Sequence, residues 1–150
     1  EQPELLYDHA LTAEKLERFE VLEGNLRKLI QIKPDHAHAY NALGYSFADR
    51  NLHLPEARKL IERALELSPE DYYILDSMGW VLYRMGDLEG AAEHLRRAYV
   101  GRPDGEIAAH LGEVLWTKGE RTQAQDVWQT QLKSSPDNAV LLETVRRLTR

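Results

Sequence analysis

The chain has 150 residues, 43% hydrophobic and 29% charged, about one domain's worth of material with enough apolar side chains for a sizeable core. Its 19 Lys and Arg against 25 Asp and Glu leave a formal net charge of -6, which argues against a binder of nucleic-acid phosphates. No apolar run approaches the roughly 18 residues of a bilayer span, and the lack of cysteine excludes disulfides, Cys-ligated zinc and thiol nucleophiles.

Punctuation along the chain is periodic. Pro34, Pro69, Pro103 and Pro136 follow at intervals of 35, 34 and 33 residues; Ala57, Ala91 and Ala124 keep the same beat, as do Gly44, Gly79 and Gly112. Three residue types sharing one period of about 34 mark a repeat architecture. Each period divides into two helical stretches. Pro55 fits the first turn of a helix carrying Ala57. Ser68-Pro69-Glu70-Asp71 reads as the start of the next helix, with a serine cap and proline at the first helical position. Leu75, Met78, Gly79 and Leu82 then recur at helical spacing up to a break at Gly86-Asp87, and Leu88, Ala91, Ala92, Leu95 and Ala98 form a second stripe before Pro103. Gly119 sits where the following pair must turn, and Ser135-Pro136-Asp137 repeats the start signal. Residues 139–148 place Leu141, Leu142, Val145 and Leu148 on one side with Glu143, Arg146 and Arg147 between, the pattern of a solvating cap helix. Arg146, Arg147 and Arg150 suit the negative end of that helix and are not read as an anion site. No segment alternates as a strand does, so the fold expected is all-α.

Gly44, Gly79 and Gly112 fall mid-helix on the apolar stripe, where a missing side chain lets the partner helix approach and offsets the ~1 kcal/mol helix cost of glycine.

The run Leu75-x-x-Met78-Gly79-x-x-Leu82-Tyr83-x-x-Gly86-x-Leu88-x-x-Ala91-x-x-x-Leu95-x-x-Ala98, ending in Pro103, resembles a tetratricopeptide repeat. Residues 37–71 are similar through Tyr40, Leu43, Gly44, Phe47, Ala57, Ile61, Ala64 and Pro69, with one extra residue in the turn Asn51-Leu52-His53-Leu54. Residues 105–138 match through Leu111, Gly112, Leu115, Gly119, Ala124, Trp128 and Pro136 but depart at Gln131. Residues 3–36 form a degenerate unit that keeps Ala10, Phe19, Leu26 and Pro34 and carries His9, Leu22 and Leu29 where the family has leucine and two alanines. The resemblance implies a right-handed α-solenoid over residues 1–150, with units 3–36, 37–71, 72–104 and 105–138 and a cap helix in 139–150. Leu22 and Leu29 are bulky, as if packing on something upstream, and the chain starts on Glu1 rather than Met. The expectation is therefore the C-terminal piece of a longer array, with any signal peptide or lipid anchor lying upstream and an open N-terminal edge through which copies could pair.

Catalytic signatures are missing. There is no phosphate-cradling loop, nucleophile elbow or His-Glu-x-x-His. His110-x-x-Glu113 lacks the other ligands of a carboxylate-bridged metal site. His36, His38 and His53 could meet near one inter-helix turn, but such histidines are usually solvated or capping. Asp76-Ser77 makes no dyad, and Glu89 and Glu93 read as a solvated face. No enzyme activity, cofactor or metal is expected.

What remains is a surface. In tetratricopeptide proteins the first helix of each pair lines the concave face, and the resemblance implies the same here. Opposite the core stripe lie Tyr73, Asp76, Trp80, Tyr83 and Arg84 in the second full unit. The first unit contributes His38, Asn41, Tyr45 and Asp49, and the third Glu106, Ala109, Glu113, Trp116 and Thr117. Tyr45, Trp80, Tyr83 and Trp116 are expected to approach one another, each either as an anchor for a peptide or partner protein or packed against the adjacent repeat, with binding favoured for the set and Asn41, Asp76, Arg84 and Glu113 able to bond a peptide backbone. Tyr40, Tyr72 and Trp128 fall at core-like positions. The carboxylate clamp of co-chaperone family members is disfavoured, because the corresponding stripe offers Asn41, Tyr45, Ser77, Glu106 and His110.

The function expected is a non-catalytic scaffold or adaptor. Residues 75–84 and 106–116 resemble the C-terminal repeats of bacterial envelope tetratricopeptide lipoproteins, some of which bring substrates to a periplasmic carboxyl-terminal-processing protease. That resemblance implies a periplasmic, outer-membrane-anchored location. The alternatives are a substrate-selecting module of a larger enzyme such as a glycosyltransferase, and a self-assembly module.

Overall fold

A computed structural model describes residues 2–150. Its described residues form helices and turns with no strand. The helices are α1 (Pro3–Lys15), α2 (Phe19–Ile32), α3 (Ala37–Asp49), α4 (Leu54–Leu67), α5 (Tyr72–Arg84), α6 (Leu88–Gly101), α7 (Gly105–Thr117), α8 (Arg121–Ser134) and α9 (Ala139–Leu148). Consecutive helices pack as pairs across short turns, α1 on α2 through α7 on α8, and each pair leans on the next. Among the first helices, α3, α5, α7 and α9 also touch in succession, whereas the second helices make no comparable contact with one another. That asymmetry curves the stack into an α-solenoid with the first helices inside.

The local causes repeat with the period. Each pair turns through a residue in the left-handed region: Glu17 (φ 57°), Asn51 (φ 57°), Gly86 (φ 91°) and Gly119 (φ 92°). Only the last two are the glycines that the turn favours; the extra residue of the second turn leaves His53 left-handed as well (φ 45°). Side-chain caps open five helices. Asp71 accepts from the Tyr73 and Ile74 amides, Asp87 from Gly90, Asp104 from Ile107, Asn138 from Leu141, and His36 Nδ1 from Ala39, at 2.9–3.2 Å.

These caps correct two sequence expectations. Ser68 and Ser135 are not N-caps; they close α4 and α8 as C-caps, and the N-caps are Asp71 and Asn138. Pro69 and Pro136 therefore follow a helix end rather than begin a helix, which suits a residue that cannot continue the hydrogen-bond ladder.

Glycine marks the closest approach within pairs. A Cβ on Gly79 would lie 2.5 Å from Leu95 Cγ and 3.1 Å from the Ala91 carbonyl oxygen; on Gly44 it would lie 2.7 Å from Ile61 Cγ1 and 2.9 Å from the Ala57 oxygen. On Gly112 it would collide with the Trp128 indole. The small residues of the repeat are thus where α3 meets α4, α5 meets α6 and α7 meets α8.

Three further expectations change. Leu22 and Leu29 are fully buried within the described chain, together with Leu26, in the layer where α2 packs on α1 and α3, so their bulk needs no upstream partner. On α9 the buried residues are Leu141 and Thr144, while Leu142 is 45% exposed. This helix packs on α7 as a further first helix would, and among the described residues no second helix covers the side that Leu142 occupies. Finally, His53 sits against Phe47 near the C-terminal end of α3, whereas His36 and His38 flank its start, so the three histidines do not converge.

Candidate functional site

The sequence leaves the concave aromatics open to partner binding or to packing on the adjacent repeat, and at the centre of the stripe the structure shows packing. All nine residues from Ile74 to Leu82 are buried on α5, as are Ile107 to Leu115 on α7. A helix with neighbours on every side buries its polar stripe as well as its apolar one, and α5 is enclosed by α3, α4, α6 and α7.

Trp80 lies at the centre and is only 4% exposed. Its ring stacks on His110 at 4.1 Å and on Tyr83 at 5.0 Å, and the Arg84 guanidinium sits 5.0 Å from its centroid. Its indole N–H donates to Asp49 Oδ1 at 3.2 Å. Trp80 is therefore a floor for the concave face rather than a projecting anchor.

His110 ties three successive first helices together. Its Nδ1 is 2.8 Å from Asp76 Oδ1 on α5, and its Nε2 is 3.3 Å from the Tyr45 hydroxyl on α3. The carboxylate can only accept, so Nδ1–H donates to it, and the neutral ring accepts the Tyr45 proton at Nε2. Burial opposes a charge on His110, but Asp76, reinforced by Asp49 and Glu106, outweighs it and raises the pKa above the ordinary histidine value. Burial, with the surrounding carboxylates, holds the Tyr45 phenol well above its usual pKa, so it stays a neutral donor.

A second chain of contacts reaches the cap helix. The Tyr83 hydroxyl donates to Glu113 Oε2 at 2.9 Å and lies 3.1 Å from Thr117 Oγ1. Arg147 donates to the other Glu113 oxygen at 2.5 Å. Arg147 is thus an ion-pair partner of a buried carboxylate one repeat away, beyond the helix-end role read from the sequence. Arg84 donates to the Ala48 and Asp49 carbonyls at 3.1 and 3.0 Å, covering the open C-terminal end of α3.

Three candidates stand apart from this centre. Trp116 turns towards α8, stacking on Trp128 at 5.6 Å beneath the Arg121 guanidinium at 4.5 Å, so it does not join Tyr45, Trp80 and Tyr83. Tyr73 is 46% exposed on the rim, where Arg102 Nε donates to its hydroxyl at 2.7 Å. Asn41 is half-buried, and its Oδ1 is enclosed without a hydrogen-bond partner. Asp76 and Glu113 are buried and bond inside the protein, Asp76 to His110 and Glu113 to Tyr83 and Arg147.

Above this floor a cavity of about 360 Å³ opens between Tyr45, Asp49, Trp80, Glu106, His110 and Arg147. A smaller one of about 160 Å³ adjoins it, sharing Tyr45 and Asp49 and reaching Glu14 on α1. Glu14 and Glu106 have no hydrogen-bond or ion-pair partner among the described residues. Both carboxyls have pKa values raised above the ordinary glutamate value. Partial burial is the first cause in each; Asp49 and Glu106 also push Glu14 up, and for Glu106 His110 acts in the opposite direction while Asp104, Asp76 and Asp49 add to the rise. Sequence reading places Glu106 and His110 on the concave stripe without counting them among the binding residues, and it assigns Arg147 to the helix end. The available signal was a polar partner about one period away, as in Asp76–His110 and Glu113–Arg147, each separated by 34 residues.

Residues 48–106 match the tetratricopeptide repeat family model. A TPR repeat-containing protein of Pseudomonas aeruginosa is 48% identical over 145 residues, which is 97% of this chain and 25% of that protein. The chain therefore spans a quarter of the length of that curated relative. Among solved structures, a thermophilic TPR protein of Thermus thermophilus superposes with a TM-score of 0.85 at 22% identity, covering 99% of this chain and 80% of the other. Part of the Thermobaculum terrenum O-GlcNAc transferase superposes with a TM-score of 0.72 at 26% identity, covering 75% of this chain and 22% of that enzyme. The chain thus has the fold of tetratricopeptide-repeat proteins, and residues 48–106 match that family.

Proposed function

We propose that this chain is a non-catalytic adaptor that holds a partner polypeptide in its concave groove. The observation that carries the reading is the groove itself. A preformed cavity of about 360 Å³ lies on the inner face of α3, α5, α7 and α9, and its floor is a rigid aromatic and hydrogen-bonded layer fixed before any partner arrives. Rigid, pre-ordered surfaces bind with less entropic loss than flexible ones. The finer form of the proposal puts the adaptor in the bacterial cell envelope, tethered through a lipid anchor on the parent polypeptide and passing substrates to a periplasmic carboxyl-terminal-processing protease. Its support is the resemblance of residues 75–84 and 106–116 to envelope lipoprotein repeats.

A second reading has an observation of its own. The likeness to part of a glycosyltransferase, the Thermobaculum terrenum enzyme, favours a substrate-selecting module within a larger enzyme.

The test is affinity capture from cell-envelope extract with three versions of the chain: wild type, a concave-rim variant (Asp49→Arg with Glu106→Arg) and a convex variant (Glu93→Arg). Circular dichroism first establishes that each folds. Partners captured by wild type and the convex variant but lost by the rim variant support the groove. Equal capture by all three moves the working surface elsewhere. A protease or its substrates among the captured proteins supports the envelope adaptor, and a glycosyltransferase domain supports the second reading.

A further inference from the structure

We infer that the concave groove receives a basic segment of its partner, with a lysine or arginine side chain seated between Asp49, Glu106 and Glu14. This rests on the groove being the docking surface and adds the chemistry of what docks there.

The argument is one of charge left over after folding. The two adjoining cavities carry five carboxylates, Glu14, Glu17, Asp49, Glu106 and Glu113, and three guanidiniums, Arg50, Arg84 and Arg147. Each guanidinium is already engaged. Arg147 is bonded to Glu113, and Arg84 to the carbonyls that end α3. Arg50 donates to Ser46 and lies over the Phe19 ring at 4.1 Å. The carboxylates are not matched in the same way. The Glu14 and Glu106 carboxyls have no hydrogen-bond or ion-pair partner among the described residues, and Asp49 has the Trp80 indole N–H and a long, exposed ion pair with Arg84 at 4.0 Å.

These acids come from three different helices, α1, α3 and α7, that folding brings to one groove. Five carboxylates against three already engaged guanidiniums leave the groove with an excess of negative charge, and a cation entering the groove relieves it. Association therefore gains from complementarity that folding leaves unused. A metal ion is a poorer fit, because no three acidic or histidine side chains among the described residues converge at ligand distance. The aromatic floor supplies apolar contact for the side-chain stem of a lysine or arginine, while its charged head stays near the acidic rim.

The experiment is an NMR titration of the isotope-labelled chain with matched peptides that carry lysine, glutamine or glutamate at the same positions. The expected result is that the lysine peptide binds about tenfold or more tightly than the glutamine peptide. It should move the Trp80 indole N–H, which is bonded to Asp49, and the ring resonances of His110. Glu106→Gln combined with Asp49→Asn should bring its affinity down to the glutamine level, because the amides keep shape and the acceptor for Trp80 but lose charge. Glu93→Gln on the convex side should change nothing.

Lysine and glutamine peptides that bind equally well and move the same concave resonances would overturn the charge inference while leaving the groove as the docking surface. A lysine peptide that moves only convex resonances, or no binding by any peptide at about millimolar concentration, would overturn both.

Discussion

Replacing Asp76 by asparagine tests the buried layer beneath the groove, because its cost should depend on pH in one direction. Asp76 Oδ1 lies 2.8 Å from His110 Nδ1, and the two side chains are 10% and 8% exposed. At about pH 5.5, below the ordinary histidine value, the wild-type ring is charged in both the folded and unfolded states. Removing the carboxylate then strands a buried cation, at a cost of about 3–5 kcal/mol. Once the pH has risen past the raised folded-state pKa the ring is neutral, and the amide oxygen of the introduced asparagine can accept the Nδ1–H bond in place of the carboxylate. The cost should shrink to roughly 1 kcal/mol, the difference between a charge-assisted and a neutral hydrogen bond. The linkage has the matching sign. His110 has a raised pKa in the folded state, so its contribution is fully present below the ordinary histidine value and is lost as pH rises through the folded pKa. Without Asp76, burial is the largest cause left and it opposes the charge, so the contribution is diminished. Glu14 and Glu106 also have raised pKa values and add a pH dependence of the same sign. They are present in both proteins, so the difference between wild type and Asp76→Asn isolates the pair. Urea unfolding followed by circular dichroism across this range measures that difference. A penalty that is constant with pH, or that grows towards alkaline pH, would refute the account of His110.

Other substitutions separate packing from chemistry. Gly79→Ala gains ~1 kcal/mol of helix propensity but drives a Cβ to 2.5 Å from buried Leu95 Cγ, an overpacking cost of about 1–3 kcal/mol, so it should destabilise. Gly24→Ala on α2 meets nothing within 4 Å and should stabilise by about 0.5–1 kcal/mol; shifts of the same sign in urea midpoints would show that the helix contacts are misassigned. Trp80→Phe keeps a stacked ring and loses only the bond to Asp49, for about 1 kcal/mol, whereas Trp80→Ala empties the site at about 3–5 kcal/mol. Equal melting temperatures for these two would mean that Trp80 is not packed as described. Arg147→Ala should cost about 1–2 kcal/mol by leaving buried Glu113 with Tyr83 alone, and hydrogen exchange should accelerate in α9 before the rest. Glu106→Gln removes an unpartnered carboxylate, so it should leave thermal stability at pH 7 equal or slightly higher, by less than about 0.5 kcal/mol after solvent screening. A clear loss of stability would reveal a partner for Glu106.

The repeat, the pairing of helices and the positions where the pairs touch are all legible in the order of the residues. Those features are local. Proline and glycine fix where helices stop and turn, and small residues recurring at one position mark a close helix contact whatever lies beyond it. Gly44, Gly79 and Gly112 can be read in this way because each reports on the partner helix immediately following it. The all-α class follows from the same periodicity. Even so, the proline signal is ambiguous at the level of single residues. Pro69 and Pro136 are compatible with a helix start and with a helix end, and only the side-chain bonds of Asp71 and Asn138 decide between them.

The fate of the concave stripe is a matter of tertiary packing. Helical spacing shows which residues point away from the pair's own core, but not whether a neighbouring repeat closes over them. Trp80 and His110 lie off the core stripe of their helices, yet each is buried by the other, because curvature brings α3, α5 and α7 into contact on the inside. Trp116, in a position equivalent to Tyr83, packs the other way because Trp128 offers a ring face behind it. Asp76, Glu113 and Arg147 find partners one repeat away in sequence, a distance at which a pattern read along one helix carries no information. Buried charges must be paired or they are costly, so assembly of the stack consumes these groups. It leaves Glu14, Asp49 and Glu106, which are acids from separate helices, as the charge facing the groove.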